Sequence, residues 1–332
     1  PIRRQPLSII RPVRQKGEIR SMNFIVLDLE WNQCPTGKSD TIGQLPFEII
    51  EIGAIKLDEA LAIQDSFREV IRPQVYRTLH FKTREIVSLR SIDLENGRVF
   101  PEVILEFFDW CGPDPYFCTW GPSDLMELQR NMAFHQIPNS FPFPFLYYDI
   151  QKIFSIRYED RRTRRSLESA VDYLSIPKEV AFHSALSDAH YTSLIMQHMT
   201  RREILENSSV DYFHTPQQRK EEIYLQYPTY AKYVSRPFPS KIQAMKDRVV
   251  TSTPCFLCRK NVPKKIRWFS SGSRNYLCLC QCEEHGYLKG KIRLRQRSDG
   301  KYYAVKTIRF VTPEEAEAVA QRKDSQHNKS RV

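Results

Sequence analysis

The chain reads as an α/β protein, a mixed sheet flanked by helices, followed by a smaller β-rich module. Three observations predict this. Three β-rich runs open the chain between residues 23 and 73, and segments alternating between helical and strand periodicity follow them. Five of the eight cysteines then crowd between Cys255 and Cys282, beside a renewed period-two pattern. With 332 residues, 41% of them hydrophobic, the chain has material for one main domain and a second, smaller one.

The elements follow in order. "PIRRQPLSIIRPVRQKGEIR" is basic but lacks an apolar signal core and a small-residue cleavage site, so residues 1–21 read as a disordered arm. "FIVLDLEWN" is a strand, and "FEIIEIGAIKLDE" and "IQDSFREVIRP" are two more, joined by a turn near Asp58 to Leu61 into an antiparallel meander. "TREIVSL" and "FPEVILEFFDWC" have helical spacing, and "YFCTWG" is a short strand. "PSDLMELQRNMAFHQI" is a helix with Pro122 in a first-turn position. "FLYYDIQKIFSI" passes from strand to helix, "RRSLESAVDYLSI" is a helix, and "SALSDAHYTSLIMQHMTRREIL" reads as one long final helix closing a domain over 22–202. Residues 203–253 are polar, tyrosine-rich and interrupted by proline, the composition of a linker or partly helical arm. Residues 254–311 form the β-rich module, and 312–332 start as a short helix with Thr312 as N-cap and end as a charged tail.

A formal charge of +11 favours a polyanionic partner, nucleic acid before a membrane surface, although a basic surface also serves solubility alone. No apolar stretch approaches the roughly 18 residues of a membrane span. Clustered cysteines in an enzyme-like chain point to a reducing, cytoplasmic setting and a metal site rather than a disulfide framework.

Asp28 and Glu30 stand two residues apart on the first strand and so share a face, yet Ile25, Val26, Leu27 and Leu29 make that strand central. Like charges in an apolar setting are costly unless a cation joins them, and paired carboxylates suit the hard cations Mg²⁺ and Mn²⁺. Further acids must come from element ends. Asp124 falls in the first turn of a helix directly after a short strand, where the helix dipole alone also favours an acid. His183 precedes Asp188 by five residues at the opening of the last helix.

The order Asp28-x-Glu30, Asp124, His183-x4-Asp188 resembles the three motifs of the DEDDh superfamily of 3′-to-5′ exonucleases, whose fold is ribonuclease H-like. More narrowly, "LDLEWNQCP", "FEIIEIGAIKLD", "IRPQVYRTLHFKTREI" and "FCTWGPSDL" resemble bacterial exonucleases described as KapD-like sporulation inhibitors, relatives of enzymes that trim RNA 3′ ends. The likeness spans about residues 22–200. It implies two Mg²⁺ or Mn²⁺ ions that stabilise the attacking and leaving oxygens of an in-line displacement. Asp28, Glu30 and Asp188 would hold the ion that binds the nucleophilic water, Asp28 would bridge to the second, and Asp124 would contact that one directly or through water. His183 would be the general base, a task that suits an imidazole at neutral pH. The polarity of the reaction comes from the resemblance alone.

Other residues carry weaker signals. Trp31 and Asn32 either line a terminal-nucleotide pocket or belong to the core; Glu51 is either a supporting group or solvated; "DRRTRR" at 160–165 is a basic loop that either touches phosphates or faces solvent.

In the module, Cys255, Cys258, Cys282 and His285 form two x2-spaced pairs, the second followed by Gly286, which suits a tetrahedral structural Zn²⁺ in a zinc-ribbon-like fold. Cys280 and Cys278 are rival ligands. "KGKIRLRQR" sets Lys289, Lys291, Arg293, Arg295 and Arg297 at period two, near Trp268, Phe269, Tyr276 and Tyr287. Basic groups among aromatics suit a single nucleic-acid strand, whereas the same lysines and arginines also protect an edge strand from aggregation. Together the sequence predicts a metal-dependent 3′-to-5′ exonuclease acting on RNA or single-stranded DNA. A catalytically silent regulator that only binds nucleic acid or protein is the alternative, which an intact acidic set disfavours.

Overall fold

A computed structural model describes residues 9–10 and 23–329. The basic arm expected over 1–21 lies outside them except for Ile9–Ile10 (β1). The described residues divide into two compact units, 23–214 and 215–329 together with 9–10.

The first unit is the expected mixed sheet. Phe24–Gln33 (β2), Phe47–Leu57 (β3) and Ile63–Val70 (β4) form the antiparallel meander. After Phe81–Ile86 (α1), Ser91–Glu95 (α2) and Phe100–Cys111 (α3), the strand Tyr116–Thr119 (β5) joins β2 in parallel. Ser123–Phe134 (α4) leads to Leu146–Asp149 (β6), parallel to β5, and then to Ile150–Tyr158 (α5) and Leu167–Tyr173 (α6). Ala185–Gln197 (α7), Arg201–Leu205 (α8) and Ser209–Val210 (β7) complete the sheet order β4-β3-β2-β5-β6-β7.

The long final helix expected from the sequence is two helices. Thr200 accepts a hydrogen bond from the Glu203 N–H while the Glu203 carboxylate accepts from the Thr200 N–H, a capping box that starts α8 anew.

Each face of this sheet has its own core. Ile25, Leu27 and Leu29 of β2 pack with Phe100, Val103, Ile104 and Phe107 of α3 and Leu125 and Leu128 of α4. Phe24 and Val26 face the other way, onto Ile153 and Phe154 of α5, Val171 of α6 and Ala189, Tyr191 and Ile195 of α7. By period two, Asp28 and Glu30 continue this second face. Apolar packing therefore occupies one half of the face and the acids the other.

The second unit departs from the small module expected. Ile223–Gln226 (β8) and Tyr230–Val234 (β9) lie in the segment read as linker, followed by Lys241–Lys246 (α9) and Arg248–Thr251 (α10). Lys264–Gly272 (β10), Asn275–Cys282 (β11), Gly286–Gln296 (β12) and Tyr302–Phe310 (β13) then form an antiparallel run, and Pro313–Lys329 (α11) ends the described chain. All join one seven-stranded sheet, β1-β8-β9-β13-β12-β11-β10, in which only β1 pairs in parallel. The hairpin β8–β9 buries Ile223 and Leu225 on one strand and Ala231 and Tyr233 on the other at period two, with a tyrosine standing where an aliphatic residue is usually looked for, and Val234 is buried at its end. Thr312 caps α11 as expected, but the helix runs through most of the charged tail.

Candidate active site

Three of the predicted residues meet. Carboxylate oxygens of Asp28, Glu30 and Asp188 all lie within 4.8 Å of one another, half-buried, in the middle of β2 and just past the end of its parallel ladder with β5. Open α/β sheets place ligands at strand C-termini because the following loops and helix starts converge there.

The approach of α7 is built into β3. Across the ladder Asp28 pairs with Gly53 and Glu30 with Glu51. A Cβ on Gly53 would stand 2.1 Å from backbone atoms of Ala185 and Leu186, so only glycine lets the start of α7 lie this close to the sheet. Glu51 is fully buried and holds that helix start: its carboxylate accepts from the Ser184 hydroxyl (3.1 Å), the Ala185 N–H (3.2 Å) and Arg68 Nε (2.7 Å). One turn later Asp188 reaches the pair on β2.

His183 stands before α7 in the left-handed region, φ 68°. Its N–H donates to Asp188 Oδ1 (3.3 Å), and its carbonyl accepts from the Ser88 N–H (3.2 Å). The side chain is exposed, which leaves the imidazole open to a ligand at the acids.

Asp124 completes the predicted set from the first turn of α4, in a three-plus-one arrangement. It is buried, and backbone N–H groups of its own residue and of Leu29 hold its carboxylate. It therefore meets the trio as a neighbouring charge rather than as a fourth member of the tight cluster.

All four acids are shifted up from the ordinary carboxylate value. Burial, and then the charges of Asp188, Glu51 and Asp124, push Glu30 up to about 8. Burial pushes Asp124 up to about 7 against the pull of its N–H donors. Asp28 is raised well above the carboxylate range by burial and then by Asp124, Asp188, Glu30 and Glu51; Asp188 is raised by burial, less the hydrogen bond from His183. Acids held this way are poised to exchange protons for a cation.

The weaker candidates make the following contacts. Asn32 is fully buried and joins β2 to the 76–80 loop: its Nδ2 donates to the Tyr76 and Thr78 carbonyls and its Oδ1 accepts from the His80 N–H. Trp31 packs on Phe47 within the α3/α4 core. Glu51 is not solvated but is the helix anchor. In the 160–165 loop, Asp160 caps the Arg162 and Thr163 N–H groups and Arg165 pairs with Glu159, while Arg162 and Arg164 are exposed.

The sequence profile of the RNase_T family, described as Exonuclease, matches residues 25–196, which take in β3 to β6, nearly all of β2 and all five predicted motif residues. The chain belongs to the RNase_T exonuclease family. No curated protein matches it. Among solved structures this RNase_T exonuclease is similar to the nuclease domain of 3′hExo, a DEDDh family member bound to rAMP. The identity there is 17%, over 59% of this chain and 99% of that one, at a TM-score of 0.49. Cell-death related nuclease 4 (CRN-4) shows 20% identity over 57% of this chain and 66% of its own, at a TM-score of 0.46. E. coli exonuclease I in its zinc-bound complex with single-stranded DNA shows 14% identity over 53% and 40%, at a TM-score of 0.43.

The second predicted ligand set also assembles. Donor atoms of Cys255, Cys258, Cys282 and His285 all lie within 4.8 Å of one another. The Cys258–Cys282 Sγ separation is 3.7 Å, and His285 Nδ1 is 3.6 Å from the sulfurs of both Cys255 and Cys282. A tetrahedron with metal–sulfur bonds of about 2.3 Å has edges of about 3.8 Å, so this donor set fits Zn²⁺. Cys278 and Cys280 approach each other at 4.0 Å and lie outside the cluster.

Proposed function

We propose that this RNase_T exonuclease is a metal-dependent, DEDDh-type nuclease that removes nucleotides from the 3′ end of RNA or single-stranded DNA. The observation that carries the reading is the convergence of Asp28, Glu30 and Asp188, with Asp124 beside them and His183 at the head of the helix that delivers Asp188.

In this reading the carboxylates of Asp28, Glu30 and Asp188 would hold Mg²⁺ or Mn²⁺, and Asp124 would assist at a second ion. When bound, the ions supply a water acidified for attack and positive charge at the scissile phosphate. His183 takes the proton of that water. A new P–O bond forms to the water oxygen as the P–O3′ bond breaks, releasing a nucleoside 5′-monophosphate and leaving a strand one residue shorter with a 3′-hydroxyl. Glu51, through Ser184 and Ala185, orients the segment carrying both His183 and Asp188.

Cys255, Cys258, Cys282 and His285 would hold a structural Zn²⁺. Cysteines gathered in a metal-ligand set rather than a disulfide framework support a reducing compartment such as the cytoplasm. Among the described residues no helix is long and apolar enough to cross a membrane. The closeness to KapD-like exonucleases rests on the sequence segments quoted above.

The test is shortening of 5′-labelled oligonucleotides, RNA and DNA, single- and double-stranded, with Mg²⁺ or Mn²⁺. A descending ladder from the 3′ end, absent in Asp28→Ala, is expected. A substrate that stays intact under all these conditions would leave only the silent regulator.

A further inference from the structure

The two units differ sharply in charge. Residues 22–214 carry 19 lysines and arginines against 28 aspartates and glutamates, a net charge of −9. Residues 215–332 carry 25 against 10, a net charge of +15. A nuclease unit that repels its polyanionic substrate needs an attractive surface elsewhere in the chain.

The cationic face of the second unit is centred on β12. Leu288, Gly290, Ile292 and Leu294 point into the core, so Lys289, Lys291, Arg293 and Arg295 line the opposite face, successive cations about 6.6 Å apart. Lys291 and Arg293 at its centre are exposed. Lys291 pairs with Thr307 on β13, which pairs with Lys232 on β9, so a further cation lies in the same row about 10 Å away.

Edge protection does not account for these residues, because β12 lies between β11 and β13 in the interior of the sheet. Arg297, the fifth residue of the series, falls beyond the strand, in a turn with Asp299. The neighbouring aromatics are committed to packing, and α11 covers the Lys289 end of this face, where Glu315 lies near Lys289. Trp268 donates to the Thr251 carbonyl and packs with Tyr276 in the α9/α10 core, while Phe269 and Tyr287 pack under α11. The face thus offers regular positive charge without stacking platforms.

We infer that the β12 face, through Lys291 and Arg293, binds the phosphate backbone of a nucleic-acid strand without reading its bases. This inference rests on the nuclease reading for the identity of the polyanion. Tethering raises the effective concentration of the bound strand for the acidic unit in the same chain.

The test measures fluorescence anisotropy of labelled oligouridine and oligothymidine with the full chain in an Asp28→Asn background, over a series of salt concentrations. Adding Lys291→Ala and Arg293→Ala together should weaken binding roughly tenfold or more and reduce the slope of log K against log salt by about 1.4, two contacts at ~0.7 each. Both oligonucleotides should respond alike. Charge reversal, Lys291→Glu with Arg293→Glu, should weaken binding further, and retained zinc content and melting temperature show that the fold is intact. Unchanged affinity and slope overturn the inference, as does a loss confined to one base composition. A loss of binding to phosphatidylserine vesicles with oligonucleotide affinity intact also overturns it. Failure of the nuclease reading is seen separately, as absence of strand shortening by the wild-type chain with Mg²⁺ or Mn²⁺.

Discussion

Each acid of the site holds its proton to a higher pH than an ordinary carboxyl, chiefly because it is buried. Glu30 moves from its ordinary 4.5 to about 8, so between those values the folded, metal-free protein keeps a proton that the unfolded chain has released. The folded state binds more protons there, and stability falls as pH rises from about 4.5 to about 8. Metal-free wild type should therefore melt lower at pH 8 than at pH 5, and Mg²⁺ or Mn²⁺ should raise the melting temperature more at pH 8. Asp28→Asn removes one of the mutually repelling charges: it should melt higher than wild type at pH 8 without metal and gain less on metal addition. Differential scanning fluorimetry checks both, and a metal-free wild type equally stable at the two pH values would contradict the account. His183 carries a different tension. A side chain at φ 68° costs about 1 kcal/mol, which glycine does not incur. His183→Gly should hold or raise stability by up to about 1 kcal/mol, and His183→Ala should leave stability near wild type. Both should lower turnover without abolishing metal binding, measured by oligonucleotide shortening and by the metal-dependent shift in melting temperature. Normal turnover in His183→Ala would remove it as the base.

At the scale of elements, the site depends on how closely α7 approaches β3. Gly53→Ala puts a methyl group into the backbone of Ala185 and Leu186, with an overpacking cost of about 1–3 kcal/mol, and lifts Asp188 from Asp28 and Glu30. Glu51→Ala strips the acceptor from the Ala185 N–H and the Ser184 hydroxyl, about 1–3 kcal/mol for buried donors left unpaired. Both should depress activity far more than a surface substitution of equal stability cost, and Glu51→Gln, which keeps an acceptor, should retain more than Glu51→Ala. The meeting of Asp28, Glu30 and Asp188 was legible because paired carboxylates on a central strand call for further acids from element ends. Glu51 was not, since a carboxylate in "IIEIGA" reads equally as solvated until the ladder sets it opposite Glu30 and under a helix start. The break between α7 and α8 was hidden because its only signal is the local capping box at Thr200, inside an otherwise continuous helical period. The β8–β9 hairpin was hidden because its pattern is written in tyrosines between prolines, and it finds its core only by pairing with β13, some 70 residues later.

At the scale of the molecule, the two ligand sets belong to different units, and each unit has its own apolar cores. The cysteine cluster closes a long loop: Cys255 and Cys258 precede β10, whereas Cys282 and His285 bracket the β11–β12 turn. Zinc bound there would tie the knuckle to the strands, and its binding energy would become folding energy for that unit because the unfolded chain offers no such site. The four acids tie β2 to α7 and α4 in the other unit. Chelation of zinc, or Cys258→Ser, should therefore lower the melting of the 215–332 unit selectively, whereas Mg²⁺ or Mn²⁺ should raise the melting of the nuclease unit selectively. Tryptophan provides the readout, since Trp31, Trp110 and Trp120 lie in the first unit and Trp268 in the second. Trp31→Phe, Trp110→Phe and Trp120→Phe together leave emission from Trp268 alone, and that signal should move down in temperature on chelation and stay put on adding Mg²⁺. In Trp268→Phe the remaining emission should behave in the opposite way. A shift of the Trp268 transition by Mg²⁺ as large as that caused by chelation would show that the two metal sites do not stabilise separate parts of the chain.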